Sequence, residues 1–223
     1  MTLKIGIIAE GRADQFVLRN ILYAFGLEKN QIRLLRPELN EDETDKTNSN
    51  EKEFGSWSNV EKVCKDLTTF NDFLESSLAG EKLIIIQLDS DVCSEYDVQE
   101  FLNPKNAIDF TDFRQRIIDK INEWLDNKYT QNLFFAVCIR QMDAWVLTLF
   151  AKQNDKDTAK KSKPKTDLGF VKEYKKVASK PIPERYEELS GNFSKKKKLK
   201  EAIKYNQSLK DFVNSLENYF GAL

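Results

Sequence analysis

Histidine is absent from the 223-residue sequence. That absence removes Ser-His-Asp and Cys-His catalysis, histidine-ligated zinc and nucleases built on a histidine base. Acid and base work is left to carboxylates, lysine, tyrosine or metal-activated water. Cysteine is scarce: Cys64, Cys93 and Cys138 are odd in number and far apart, so neither a disulfide framework nor a CxxC metal knuckle is expected. No apolar run approaches the roughly 20 residues of a membrane span, and the first residues enter a strand pattern with no basic-plus-apolar leader. The expectation is a cytoplasmic protein with no membrane contact, in a reducing setting. The sequence also lacks an internal repeat, and its net charge is only −1. That near-neutrality hides an asymmetry. Residues 1–151 hold 17 Lys+Arg against 26 Asp+Glu, a net of −9, whereas residues 152–223 hold 18 against 10, a net of +8. An acidic body with a basic tail fits a nucleic-acid contact surface or a solvated lysine face.

The most informative stretch is Leu83 to Asp91, LIIIQLDSD. Five of the six residues from Leu83 to Leu88 are apolar, the pattern of a strand covered on both faces of a parallel sheet. It ends on Asp89 and Asp91, which extended geometry would send to one side. Ligands of open α/β sheets bind beyond the carboxyl ends of the strands. Two adjacent carboxylates repel unless a cation lies between them, and hard oxygen ligands suit Mg2+, Mn2+ or Ca2+.

Along the chain, Leu3 to Ala9 predicts a strand that delivers Glu10, with Gly11 permitting a sharp turn into a helix. That helix carries Asp14 in its first turn, buries Phe16, Val17, Ile21, Ala24 and Phe25, and stops at Gly26. Ile32 to Leu35 is a weaker strand, and Glu38 to Glu53 a polar surface loop. Val60, Val63, Cys64, Leu67, Phe70 and Leu74 predict one helix of four to five turns, with Trp57 in the loop before it. An irregular region from Val92 to Asn106 follows the central strand, and Phe113, Ile117, Ile121 and Trp124 mark the next helix. Leu133 to Ile139 predicts a fourth buried strand running into a helix that begins near Arg140 and holds Asp143. Alternating strands and helices predict a mostly parallel four-stranded sheet flanked by helices over residues 1–151. Residues 152–223 predict a lysine-rich helical C-terminal extension packed on it, closing with an amphipathic helix at Leu209, Phe212, Val213, Leu216 and Phe220.

Glu10, Asp89, Asp91 and Asp143 thus fall at the same edge of the sheet. A metal site is the lowest-energy solution for such a convergence. With Mg2+ or Mn2+ a phosphodiester is polarised and water activated without histidine, and a tail lysine would steady the charge that develops.

At these residues the chain resembles the TOPRIM superfamily of topoisomerases, DnaG-type primases, small ribosomal-RNA maturases and overcoming-lysogenisation-defect nucleases. IGIIAEGRAD carries the strand and EGxxD, LIIIQLDSD carries DxD, and IRQMDAWVL looks most like small stand-alone bacterial members. The resemblance covers residues 3–150. It implies a Rossmann-like TOPRIM fold, Glu10 as metal ligand or general acid/base, and Asp89 and Asp91 as metal ligands. It further implies Asp14 acting toward a second metal with Asp143 as its partner. Ser90 stands where many members have glycine, and no GxxxxGK[ST] loop occurs, so any ATPase would be a separately encoded partner. The family's catalytic lysine has several candidates: Lys163, Lys165 and Lys195 to Lys198.

The implied function is a metal-dependent nuclease acting on DNA or RNA, in defence against phage or mobile DNA. Lys195, Lys196, Lys197, Lys198 and Arg140 are its candidate nucleic-acid contacts. One alternative is a non-catalytic module that binds nucleic acid or a partner protein. A second is an aspartate-based phosphotransfer enzyme, because LIIIQLDSDVC approaches the haloacid-dehalogenase nucleophile pattern.

Overall fold

The computed structural model describes residues 3–38, 56–76, 80–99, 110–152, 157–221 and 223. Most of the polar stretch from Glu38 to Glu53, and the later part of the region after Asp91, lie outside the described residues. The four apolar runs form strands β1 (Lys4–Ile8), β2 (Ile32–Arg36), β3 (Lys82–Asp89) and β4 (Leu133–Cys138). All pair in parallel, in the order β2-β1-β3-β4. Between them run α1 (Arg12–Ala24), α2 (Trp57–Asp66), α3 (Thr68–Leu74) and α4 (Phe110–Trp124), with α5 (Met142–Leu147) after β4. The result is a Rossmann-like α/β sheet with helices on both faces. Because β1 leads outward to β2 and the chain then returns to place β3 on the other side of β1, the strand order reverses between β1 and β3. A crevice opens beyond their carboxyl ends at such a reversal.

Strand periodicity divides the core. Ile84, Ile86 and Leu88 join Val60, Phe70, Phe113 and Ile121 on one face, while Ile85 joins Val17, Ile21, Trp145 and Phe212 on the other. Each fully buried aliphatic contributes about 1.5–3 kcal/mol. By the same alternation Gln87 and Asp89 lie on the Ile85 face, the one that α1 and α5 cover.

Residues 157–220 complete that face with α6 (Pro164–Gly169), α7 (Lys172–Val177), α8 (Ile182–Leu189), α9 (Lys196–Ala202) and α10 (Gln207–Phe220). Leu168, Tyr186, Phe193, Leu199, Phe212 and Leu216 enter the same core as Ile5 and Val17. Polar contacts fix the docking. Asn20 Nδ2 donates to Glu187 O at 2.9 Å and to Ser190 Oγ at 2.8 Å, joining α1 to α8. Trp145 stacks on Phe212 at 5.5 Å, and its Nε1–H donates to Ser208 Oγ at 2.8 Å.

Three local expectations are corrected. The helix expected from Val60 to Leu74 is two helices, broken at Leu67, whose φ is +61°. That left-handed residue costs about 1–2 kcal/mol, offset by the turn of chain that buries Phe70 and Phe73 against the sheet. Trp57 is the first residue of α2 rather than a loop residue. It stacks on Trp124 at 6.4 Å and donates to Glu95 Oε2 at 2.8 Å. Gly11 has φ −140°, extended backbone open to any residue. What the position restricts is space, since a Cβ there would lie 3.1 Å from Asp14 Oδ2.

Candidate metal centre and catalytic cleft

A cleft of about 320 Å³ opens at the β1–β3 reversal. The sheet side of it is lined by Glu10, Asp14, Asp89, Gln141 and Asp143. The four carboxylates arrive by separate routes. Glu10 follows β1, Asp14 lies in the first turn of α1, Asp89 ends β3 and Asp143 lies in the first turn of α5. The tail supplies the other side, with Lys165 from α6, Tyr174 from α7, and Ile182, Arg185 and Tyr186 from α8.

Hydrogen bonds tie the carboxylates to their supports. Gln87 is wholly buried, and its amide serves both strand ends: Oε1 accepts from Glu10 N–H at 3.0 Å and Nε2 donates to Asp89 Oδ1 at 2.7 Å. Asp89 N–H donates to Glu10 Oε1 at 2.5 Å. The Tyr186 hydroxyl donates to Asp143 Oδ1. Asp91 is the departure from the expected arrangement. The strand stops at Asp89, so Asp91 sits in the following turn, exposed at the rim, where it accepts from Gln141 Nε2 at 2.6 Å.

Burial raises each of these acids, and charge from neighbouring carboxylates adds to it. Glu10 is pushed up to about 8, by burial first and then by the charges of Asp14 and Asp91. Asp14 rises to about 7 through burial and the charge of Asp143, with Lys165 opposing. Asp89 is held well above the usual carboxylate range by burial and by Glu10, Asp14, Asp91 and Asp143. Asp91 and Asp143 are raised by burial and lowered by Gln141 and Tyr186 respectively. This pattern marks charge that the protein alone does not neutralise.

Among the described residues no group of three or more His, Cys, Asp or Glu side chains is drawn together as a metal cage. Glu10, Asp89, Asp91 and Asp143 are each turned to a hydrogen-bond donor of their own. The donor chemistry nonetheless fits a hard cation: four carboxylates from four parts of the chain outnumber the two cationic side chains of the lining.

Of the candidate lysines, only Lys165 lines the cleft. Lys195 to Lys198 are exposed at the start of α9 and do not line it. The Arg140 side chain does not line it either. The Arg140 backbone is structural: with φ +74°, its N–H donates to Ser90 Oγ at 2.8 Å, and its carbonyl accepts from Ser90 and Asp91 at 3.0 and 3.1 Å. Ser90 thus has its own use for a hydroxyl. Nothing local in the tail marks which of its side chains meet the sheet edge, so Tyr174, Ile182, Arg185 and Tyr186 carry no signal in the sequence. Gln87 did carry a signal, as the one polar residue inside an otherwise apolar strand. Among the described residues, no helix is long and apolar enough to cross a membrane. Comparison with protein-family models, with curated proteins and with solved structures found no match to this chain.

Proposed function

We propose that this chain is a Mg2+- or Mn2+-dependent phosphodiesterase of the TOPRIM type that cuts nucleic acid. The observation that carries the reading is the gathering of Glu10, Asp14, Asp89 and Asp143 into one cleft at the strand-order reversal, with Lys165 and Arg185 facing the same space. Asp89, Asp14 and Asp143 are the oxygen ligands, with Asp91 able to join from the rim. When bound, the ion supplies Lewis-acid polarisation of the phosphate and makes water nucleophilic near neutral pH. Glu10, whose carboxyl is raised to about 8 in the metal-free chain, is suited to general acid/base work in a chain without histidine. Lys165 offers its ammonium to the phosphate, which four carboxylates alone would repel, and the charge of Arg185 in the same lining adds to the attraction. The exposed lysines from Lys195 to Lys198 give a second, sequence-independent attraction for the backbone. A cytoplasmic role against phage or mobile DNA, with a separate ATPase as partner, belongs to the same reading.

The test is incubation of mixed single- and double-stranded DNA and RNA with the purified chain in Mn2+. Cleavage is expected, and is expected to vanish with EDTA or with Asp89→Ala. Cleavage that survives either treatment would contradict the proposal.

A further inference from the structure

We propose that Tyr174, Ile182 and Arg185 form a ledge for one unstacked nucleobase, so that the substrate enters as single-stranded nucleic acid. The inference rests on the phosphodiesterase reading for the identity of the reacting group, and it adds the part of the substrate next to that group. All three residues line the cleft together with Lys165. Ile182 is 57 % exposed; of the three exposed large hydrophobic side chains among the described residues, it is the one that lines this cleft. The Arg185 guanidinium carbon lies 5.2 Å from the Tyr174 ring centroid. Nη1 donates to Tyr174 OH at 2.7 Å, and Nη2 donates to Ala178 O at 2.6 Å and Lys180 O at 3.0 Å. Arg185 is therefore held at several points and needs little ordering on binding.

An aliphatic side chain, an aromatic ring and a fixed guanidinium plane are the surfaces on which unpaired bases stack. Lys165, with any cation that the carboxylates would hold, then addresses the phosphate. At about 320 Å³ the cleft is at the small end of the roughly 300–1,000 Å³ typical of ligand sites. The base faces of a duplex are covered by their neighbours and must be unstacked to reach such a ledge.

The full chain is titrated in Ca2+ into three fluorescent probes: a single-stranded 12-mer, the same strand annealed, and the same strand with abasic sites. Anisotropy reports binding, and cleavage is followed separately in Mn2+. The single strand should bind at least about tenfold tighter than the other two, about 1.4 kcal/mol. Ile182→Asp and Tyr174→Ala should each remove most of that preference. Phe170→Ser, a change at a residue 73 % exposed and outside the cleft, should leave it intact. Equal binding of the abasic and normal strands, or a preference undiminished in both ledge variants, would overturn the ledge. Single-strand preference with no cleavage in Mn2+ would support the ledge and overturn the hydrolytic reading.

Discussion

Replacing Glu10 with glutamine should stabilise the metal-free protein above neutral pH while removing a functional group. The folded chain raises this carboxyl from 4.5 to about 8, through burial first and then the charges of Asp14 and Asp91. Between those values the unfolded chain has lost the proton and the folded chain retains it. Stability due to this group is therefore fully present below pH 4.5 and is lost as pH rises through about 8. A shift of this size corresponds to about 5 kcal/mol at most. Asp14, raised from 3.8 to about 7, acts in the same direction, and its repulsion with Glu10 is shared rather than additive. Urea unfolding in EDTA, followed by tryptophan fluorescence at pH 5, 6.5 and 8, should show wild-type stability falling by a few kcal/mol across that range. Glutamine keeps an oxygen to accept from Asp89 N–H, so Glu10→Gln should match wild type at pH 5 and exceed it by about 2–4 kcal/mol at pH 8. Mn2+ should recover much of the wild-type loss. A wild-type profile that is flat or rising from pH 5 to 8, or a variant weakened equally at every pH, would refute the reasoning.

Gln87→Met should cost about 1–3 kcal/mol in urea unfolding, since it strands the Glu10 N–H and Asp89 Oδ1. It should also weaken Mn2+ binding about tenfold or more, as loss of a ligand's support does; unchanged affinity would remove Gln87 from the site. Tyr186→Phe strands the buried Asp143 Oδ1 and should cost about 1–3 kcal/mol in urea unfolding while reducing Mn2+ affinity about tenfold, measured by the same titration. Gly6→Ala is a purely structural case. Its Cβ would lie 2.4 Å from Leu35 Cδ1 and 3.1 Å from Phe73 Cε1, so a loss of about 1–3 kcal/mol is expected from overpacking. An unaltered urea midpoint would show that Leu35 yields freely.

The strands were legible because burial on two faces writes itself into a strand as an unbroken apolar run, as in Leu83 to Ile86. The acids after them were legible because parallel topology sends every strand's carboxyl end to one edge. Asp91 was misplaced for the same reason that Asp89 was not: alternation holds only while the strand lasts, and the chain turns at Ser90. The break at Leu67 left no mark, since leucine has no preference for left-handed backbone and tertiary burial of Phe70 and Phe73 decides it. The tail showed its charge but not its geometry. Lys165 was one candidate among several until the contacts of α8 with α1 set the tail against the cleft, and Tyr174, Arg185 and Tyr186 meet the acids only through that docking.

The most direct test of a metal centre at the β1–β3 reversal is calorimetric titration of Mn2+ into wild type and into the Asp89→Ala, Asp91→Ala double variant. Saturable binding to wild type, absent from the variant, is the expected result. No binding to wild type, or equal binding to both proteins, would contradict the assignment of this cleft as a metal-dependent active site.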